Sequence, residues 1–467
     1  MIIATPKRTS LKHLACFNPE QLPEWTNPDR LITYIDIGNV RTGSLVSQPT
    51  GYTFSSAPSR ARRLVRQGDV IFSTVRPYLR AIYRFSSPTE SVVSTGFAVI
   101  RPGSGIDSAF LFYSVVNEQF INSINAQAVG ASYPAVDPSV LENQMVRVPP
   151  LDEQRAIARF LDRKSRRIAR FIHARQRMIA LLNEQKQAII HQAVTRGLDP
   201  DIPLKPSGID WLGDIPAHWN LIPSGRLMTG VGQGWSPIAG DEEDDGEQWS
   251  VLTLSAVKGG KFNPEARKPI PSSAPVRRDL EIQPGDVFLT RANTRQLVGD
   301  VALVGWAPPR LIYSDLIYRV RLDPSLILAP YFVSLMGSKV GRGYIEREAR
   351  ASNESMVKLA ASRIRAWSLP VPPLHEQTDI ESALERMRAE IEASIAKKRR
   401  EIELLREYRT RLIADVVTGK LDIRGHPDAA EDAPEDLDDS ESLDGILDGD
   451  VPVGDIEDDG PVDEVAG

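Results

Sequence analysis

Two stretches of more than forty residues, each free of proline and glycine, dominate what this chain can become. One lies between Pro150 and Gly197, the other between Pro373 and Gly419. Each is introduced by nearly the same words, VPPLDEQRAI from Val148 and VPPLHEQTDI from Val371, 223 residues apart. Aligned without a gap over 148–199 and 371–422, the segments share 21 of 52 residues. The tandem prolines favour an extended lead-in. The uninterrupted run behind them predicts a helix of some 40 residues, about 60 Å long. Asp152 is placed to cap the first helix by accepting a free backbone N–H. His375, at the matching place, is a poorer cap.

Apolar spacing sharpens the prediction. Ile157, Leu161, Ile168, Leu182 and Ile189 follow one heptad phase, and Ile380, Leu384, Ile391, Leu405 and Leu412 repeat it. Ile172, Ile179, Ile395 and Ile402 widen the stripe. A long helix with one apolar seam needs a partner, and an antiparallel coiled coil of the two copies is the economical solution. A long helix inside a larger bundle is the plainer alternative. The central heptad positions hold Arg175 and Lys398, cations that either snorkel outward or pair with an acid such as Glu401.

A second echo lies upstream. YIDIGNVRTG (Tyr34–Gly43) resembles VLTLSAVKGG (Val251–Gly260), and GDVIF (Gly68–Phe72) resembles GDVFL (Gly285–Leu289), both pairs 217 residues apart. Strands are expected at Leu31–Ile37, Val70–Phe72, Val92–Ile100, Val251–Leu254, Val287–Leu289 and Tyr313–Val320. Helices are expected at Ser108–Asn125 and Pro330–Ser338. The chain thus reads as α+β: two mixed α/β domains separated by two long helices forming an antiparallel coiled coil, in a pseudo-twofold duplicated chain. The expected divisions are 1–147, 148–199, 200–370, 371–424 and a disordered acidic tail at 425–467.

That tail distorts the net charge of −6. It carries 17 acids and no base from His426 onward, which leaves 45 acids against 56 bases before it. A basic body suits a polyanion such as nucleic acid. Cations and amides gather in expected loops: Arg60, Arg62, Arg63, Arg66, Arg76, Tyr78 and Arg80 in the first domain, and Arg277, Arg278, Arg291, Asn293, Arg295 and Gln296 in the second. Arginine reads guanine bidentately, Asn and Gln read adenine, and all can hold phosphates. The bland alternative for any one arginine is solvated or ion-paired surface.

Catalytic signatures are missing. There is no phosphate-binding loop and no Asn/Asp-Pro-Pro-Tyr adenine pocket, and the six histidines are dispersed. GVGQGW (Gly230–Trp235) reads as a loop, Glu184-Gln185-Lys186 as helix surface, and the acidic run Asp241–Asp245 as a flexible loop rather than a metal site. No metal or catalytic residue is assigned. No apolar run is long enough for a membrane span, the start lacks a signal-peptide pattern, and Cys16 stands alone, so a cytoplasmic setting is expected.

Taken in order, these features resemble the specificity subunit of Type I restriction–modification enzymes over roughly residues 25–424. The resemblance is carried by the Pro-Pro-Leu-x-Glu-Gln openings, the Val194-Thr195 and Val417-Thr418 endings, PSGIDWLGDIPAHW (Pro206–Trp219) and GDVIFSTVRPYL (Gly68–Leu79). The acidic tail departs from that pattern, and no Trp-Leu-Gly motif opens the first domain. The resemblance implies two target recognition domains, each reading half of a bipartite, asymmetric double-stranded DNA site through the major groove. It implies helices that set the unread spacer and dock two methyltransferase (modification) subunits. S-adenosylmethionine and ATP/Mg would then sit on partner subunits, a restriction/translocase subunit among them. This chain would hold no cofactor and catalyse nothing. A coiled-coil scaffold joining proteins without binding DNA is the alternative from another class.

Overall fold

The computed structural model describes residues 8–430 apart from 132, 238–247, 272 and 351–355, and leaves the side chains of 349 and 350 undescribed. The acidic run Asp241–Asp245 and the tail beyond residue 430 lie outside the described residues. The chain divides into two compact units, Met1–Ile179 with Ala396–Gly467, and Ala180–Ile395. Both divisions fall inside the long helices Leu151–Arg196 and Leu374–Thr418. Each unit therefore contains one variable domain and a part of each helix.

In the first unit, one four-stranded sheet runs Thr50–Thr53, Leu31–Ile35, Ser91–Ser94, Ala61–Val65. A second runs Ala15–Phe17, Phe97–Pro102, Val70–Ser73, Ile82–Arg84. The expected strand Val92–Ile100 is in fact two strands, one in each sheet. The chain turns the corner at Thr95–Gly96, where a Cβ on Gly96 would come within 2.6 Å of Ile37 Cδ1. The expected helix Ser108–Asn125 is also two, Ser108–Val116 and Glu118–Asn125. Asn117 breaks it by leaving the helical conformation and accepting from the Gln119 N–H, so that it caps the second piece.

The second unit repeats the plan. A four-stranded sheet runs Met228–Gln233, Ile317–Leu322, Val287–Thr290, Val301–Leu303, beside a three-stranded one of Arg267–Pro269, Ser250–Leu252, Leu311–Ile312. Expected strand Tyr313–Val320 is replaced by Leu311–Ile312 and Ile317–Leu322, with a turn closed by Ile317 N–H on Ser314 O. Gly230–Gln233, expected in a loop, lies in an edge strand paired with Tyr318–Arg321. Each unit contains a parallel strand pair among mainly antiparallel ones: Val92 beside Tyr34, and Ser250 beside Leu311. The Gly-Asp turns match as well. Gly68 and Gly285 have φ of 90° and 91°, a backbone shape that favours glycine. The following Asp69 and Asp286 each accept the N–H three residues back.

The lead-ins to the long helices are extended, as the prolines require. Met145–Arg147 pairs with Arg8–Ser10, and Ser368–Val371 pairs with Asn220–Pro223. The helices begin at Leu151 and Leu374, so Asp152 is already the second helical residue. Its carboxylate is exposed and faces Arg155, so it does not serve as the cap expected of it. It still favours the helix start by charge.

Helix pairing is antiparallel within each unit. In the first, Ile157, Phe160 and Leu161 share a core with Leu412, Ile413 and Val416, and with Phe72, Phe110 and Tyr113 of the variable domain. In the second, Ile190 and Val194 share a core with Ile380 and Leu384, and with Trp219, Tyr331 and Phe332. Each large side chain so buried contributes about 1.5–3 kcal/mol. Ile168, Ile391 and the widening residues Ile172, Ile179, Ile395 and Ile402 are buried, while Leu182, Ile189 and Leu405 are partly covered. Residues 425–430, placed in the tail by sequence, are ordered against the first helix: Pro427–Ala429 forms a 3-10 turn and Ala429 joins the core.

Candidate nucleic-acid interface

The candidate surface of the first unit is built on the strand Val70–Ser73. Asp69, buried at its start, binds the Arg101 guanidinium through two bonds of 2.9 Å. Glu20 adds a second partner and a third bond, and these hydrogen bonds, those from Asp69 foremost, raise the arginine's pKa. This frame fixes the strand, and the loop beyond it carries the candidates. Arg76 and Arg80 both adopt the left-handed conformation, with φ of 48° and 56°. Such backbone in arginine is uncommon and marks a constrained turn. The turn projects Tyr78 and Leu79, each about half exposed at 50% and 53%. Arg76 lies 4.2 Å over the ring of Tyr133, itself 69% exposed on the neighbouring strand-like arm that bridges Val75 to Ala135. Arg80 approaches Glu118 at 3.6 Å.

The other arginines of that unit have structural partners. Arg60 binds Asp36 at 2.6 Å and Tyr34 Oη at 3.3 Å, and Tyr34 first and Asp36 second raise its pKa. Arg62 covers Phe54. Arg63 is half-buried and donates to the Phe97 carbonyl, and desolvation lowers its pKa. Arg66 pairs with Glu20. The structure therefore groups Arg76, Tyr78 and Arg80 at one tip and sets Arg60, Arg62, Arg63 and Arg66 along another sheet.

In the second unit, Asp286 holds Arg319 at 3.1 Å, the counterpart of the Asp69–Arg101 frame. The strand Val287–Thr290 leads to Arg291, which donates to Tyr318 Oη at 3.2 Å. Asn293 sits in the short strand Ala292–Asn293, paired with Val357–Lys358. Arg295 and Gln296 are exposed at the tip. Arg277 lies apart in an ion pair with Asp279, and Arg278 lies 5.8 Å from the Trp249 ring. Arg291, Asn293, Arg295 and Gln296 thus lie in the loop that follows the matching strand, as Ser73–Arg80 does, but without the left-handed residues and 3-10 turn of the first loop. Among the described residues, no group of three or more His, Cys, Asp or Glu could hold a metal, and no helix is long and apolar enough to cross a membrane.

The repeated phrase has its structural answer in its glutamine. Gln154 is fully buried. Its carbonyl accepts from Asp107 N–H at 2.8 Å, and its amide donates to Gly105 O at 3.1 Å and Pro149 O at 2.8 Å. Gln377 does the same: its carbonyl accepts from Leu328 N–H at 2.8 Å, and its amide donates to Leu326 O at 3.0 Å and Pro372 O at 2.9 Å. Asp107 and Leu328 are the N-cap residues of helices Ser108–Val116 and Ala329–Gly337. One amide per unit therefore ties the long helix to the variable domain. The neighbouring glutamate adds a second tie. Glu376 accepts from Trp219 Nε1 at 3.0 Å and lies 2.8 Å from His218 Nε2, whereas Glu153 pairs with Arg147. The heptad spacing carried no sign of Gln154, Gln377, Asp69, Asp286 or Tyr133. Only recurrence of Glu-Gln and Gly-Asp at fixed offsets marked the first four, and nothing marked Tyr133.

A scaffold that holds two divergent loops in one repeated frame is the class of protein found here. Residues 53–181 match the family of the Type I restriction modification DNA specificity domain, and the chain is similar in sequence to Type I restriction enzyme specificity subunits. It is 28% identical over 173 residues to the Type I restriction enzyme EcoEI specificity subunit of Escherichia coli, covering 37% of this chain and 29% of that protein. It is 21% identical over 304 residues to the EcoKI specificity subunit of E. coli strain K12, covering 64% and 62%. The matches span less than two thirds of either relative. Its fold is similar, with a TM-score of 0.65 at 22% identity, to a solved chain from work on complex assembly and conformational transition of the type I R-M system. That likeness covers 90% of this chain and 100% of the other.

Proposed function

We propose that this chain is the sequence-reading subunit of a Type I restriction–modification complex, with each variable domain reading one half of a bipartite site in double-stranded DNA. The observation that carries this reading is the matched pair of tips, Arg76-Tyr78-Arg80 and Asn293-Arg295-Gln296, on equivalent frames. Similar scaffolds with unlike polar tips suit two unlike half-sites. Arginine and asparagine edges supply direct readout, while Tyr78 and Tyr133 offer faces for packing against the duplex. The paired helices set the unread gap. Their exposed apolar side chains, Phe171, Met178, Leu404 and Tyr408, support docking of two modification subunits. Those subunits bring S-adenosylmethionine, and a restriction subunit brings ATP and Mg. This chain has no catalytic step of its own and works in the cytoplasm. Its working parts divide at 147, 199 and 370, with the acidic tail taken from residue 431 because 425–430 pack on the first helix.

The experiment is a methylome. Cells that gain this chain with its methyltransferase partner are expected to show one new bipartite adenine motif. A formed complex with no new motif contradicts the proposal. Inserting four residues near Thr195 is expected to lengthen the gap, and an unchanged gap contradicts the ruler.

A further inference from the structure

The tip of the first unit carries a cluster of exposed apolar side chains. Tyr78 and Leu79 are about half exposed, and Tyr133 and Val129 are 69% and 80% exposed. Apolar residues scattered singly over a surface are ordinary, whereas a cluster marks a site of contact. One small ladder joins these four. Ala135 bridges Val75 on one side and Val129 on the other, and Arg76 N–H donates to Pro134 O at 2.7 Å. The Arg76 guanidinium lies 4.2 Å over the Tyr133 ring. Tyr78 and Leu79 follow in the 3-10 turn Pro77–Leu79.

That turn is firmly held. Arg76 and Arg80, on either side of it, are both left-handed, a conformation unfavourable for any side chain larger than glycine's. Pro77 is buried beneath it, and Thr42 Oγ1 donates to Arg80 O at 2.8 Å. Strained backbone persists only where its surroundings over-determine it. Here it fixes two apolar side chains in solvent, where they gain nothing from burial in the chain alone. Their use lies in contact with a partner.

The second unit narrows the choice of partner. Its loop leaves the matching strand Val287–Thr290 but exposes Thr294, Arg295 and Gln296, with Leu297 less open at 37%. One kind of partner has then to accept an apolar tip from one unit and a polar tip from the other. An apolar patch on a protein suits only the first. The major groove of duplex DNA suits both, because its base edges offer donors and acceptors and thymine adds a methyl group.

We propose that Leu79, within this apolar tip, reads thymine through its 5-methyl group, so that apolar contact specifies part of the first half-site while hydrogen bonds specify the second. The inference rests on the DNA-reading proposal above and names the base feature that the first tip recognises.

The test uses the complete chain in complex with its modification subunits, and duplexes carrying the motif found in the methylome. The half belonging to the first unit is the one that changes when residues 8–147 are exchanged. Each thymine of each half is replaced in turn by deoxyuridine, which removes only the methyl group. At least one replacement in the first half is expected to weaken binding about fourfold, the worth of one buried methyl group. Replacements in the second half are expected to leave binding unchanged. Leu79→Ala is expected to abolish the thymine–deoxyuridine difference at the sensitive position, and Leu79→Met, which keeps an apolar side chain of similar reach, to retain it. Both variants should keep the native thermal midpoint, since the side chain is exposed. Indifference to deoxyuridine throughout the first half, a first half without thymine, or equal sensitivity in both halves overturns the inference alone. So does a difference that persists unchanged in Leu79→Ala. A native complex that prefers no motif duplex overturns the DNA-reading proposal as well.

Discussion

The Arg175 guanidinium lies 2.5 Å from the Glu401 carboxylate, reaching it from the opposing helix of the first unit. Lys398, one turn away on Glu401's own helix, donates to the same carboxylate at 2.9 and 3.1 Å. Two cations at the centre of the apolar seam are thus reconciled by one acid. The hydrogen bond from Lys398 first, and that from Arg175 second, hold the Glu401 carboxyl below its ordinary value.

A depressed carboxyl contributes stability above its unfolded pKa and loses it as pH falls through its folded value. Glu401→Gln is therefore expected to lower the thermal midpoint modestly at neutral pH. The difference from the native chain should shrink on acidification and in high salt, since the group is open to solvent. Thermal unfolding across pH checks this, and a deficit that persists unchanged in acid contradicts it.

Gln154→Ala should cost more than its polar character suggests. It orphans the Asp107 N–H and the Gly105 and Pro149 carbonyls, and it removes the tie from helix to variable domain. A loss of about 2–4 kcal/mol is expected. Gln377→Ala should match it through Leu328, Leu326 and Pro372. Denaturant unfolding measures both, and a cost near zero for either would show that the amide is not the clasp.

Tyr113 donates to Asp162 at 2.6 Å inside the first unit, and burial, the largest influence, raises the Asp162 pKa. An acid with a raised folded value contributes stability below its unfolded pKa and loses it as pH rises through the folded value. Asp162→Asn keeps an acceptor for Tyr113 and removes that loss. It is expected to leave stability at neutral pH unchanged or higher, and to flatten its fall with rising pH. A large destabilisation at neutral pH would show that the ionised carboxylate, through Arg84 and Arg166, is needed.

Tyr78→Ala and Asn293→Ala should separate reading from folding. Tyr78 sits at a loop tip and Asn293 at the end of a short strand leading into one, both outside the cores. Each is expected to cost about 1–3 kcal/mol in site affinity with little change in the thermal midpoint. Tyr78→Ala should relax one half of the motif and Asn293→Ala the other. Duplex binding with each half varied in turn gives the answer.

The long helices were legible because a heptad stripe and an absence of helix breakers leave few other outcomes. The antiparallel sense followed from the same register, whereas the sequence left Arg175 and Lys398 either snorkelling or paired, and only the structure selects Glu401. The corners at Gly96 and Ser314 were not legible, since a buried strand that changes sheet keeps its apolar pattern throughout. Asn117 reads equally as a helical residue or a cap, and only its backbone decides. Asp152 missed its expected place by two residues, because Leu151 directly behind Pro150 already opens the helix. Of the candidate contacts, Arg76, Tyr78 and Arg80 share a tip. Arg63 is taken by the Phe97 carbonyl, a long-range acceptor that composition cannot reveal.

The central claim, one half-site per variable domain, is tested most directly by exchanging residues 8–147 for the corresponding domain of another specificity subunit and sequencing the methylome of cells carrying the hybrid complex. The account predicts a motif in which one half changes to that of the donor while the other half and the gap remain. A motif altered in both halves, or in neither, would contradict it.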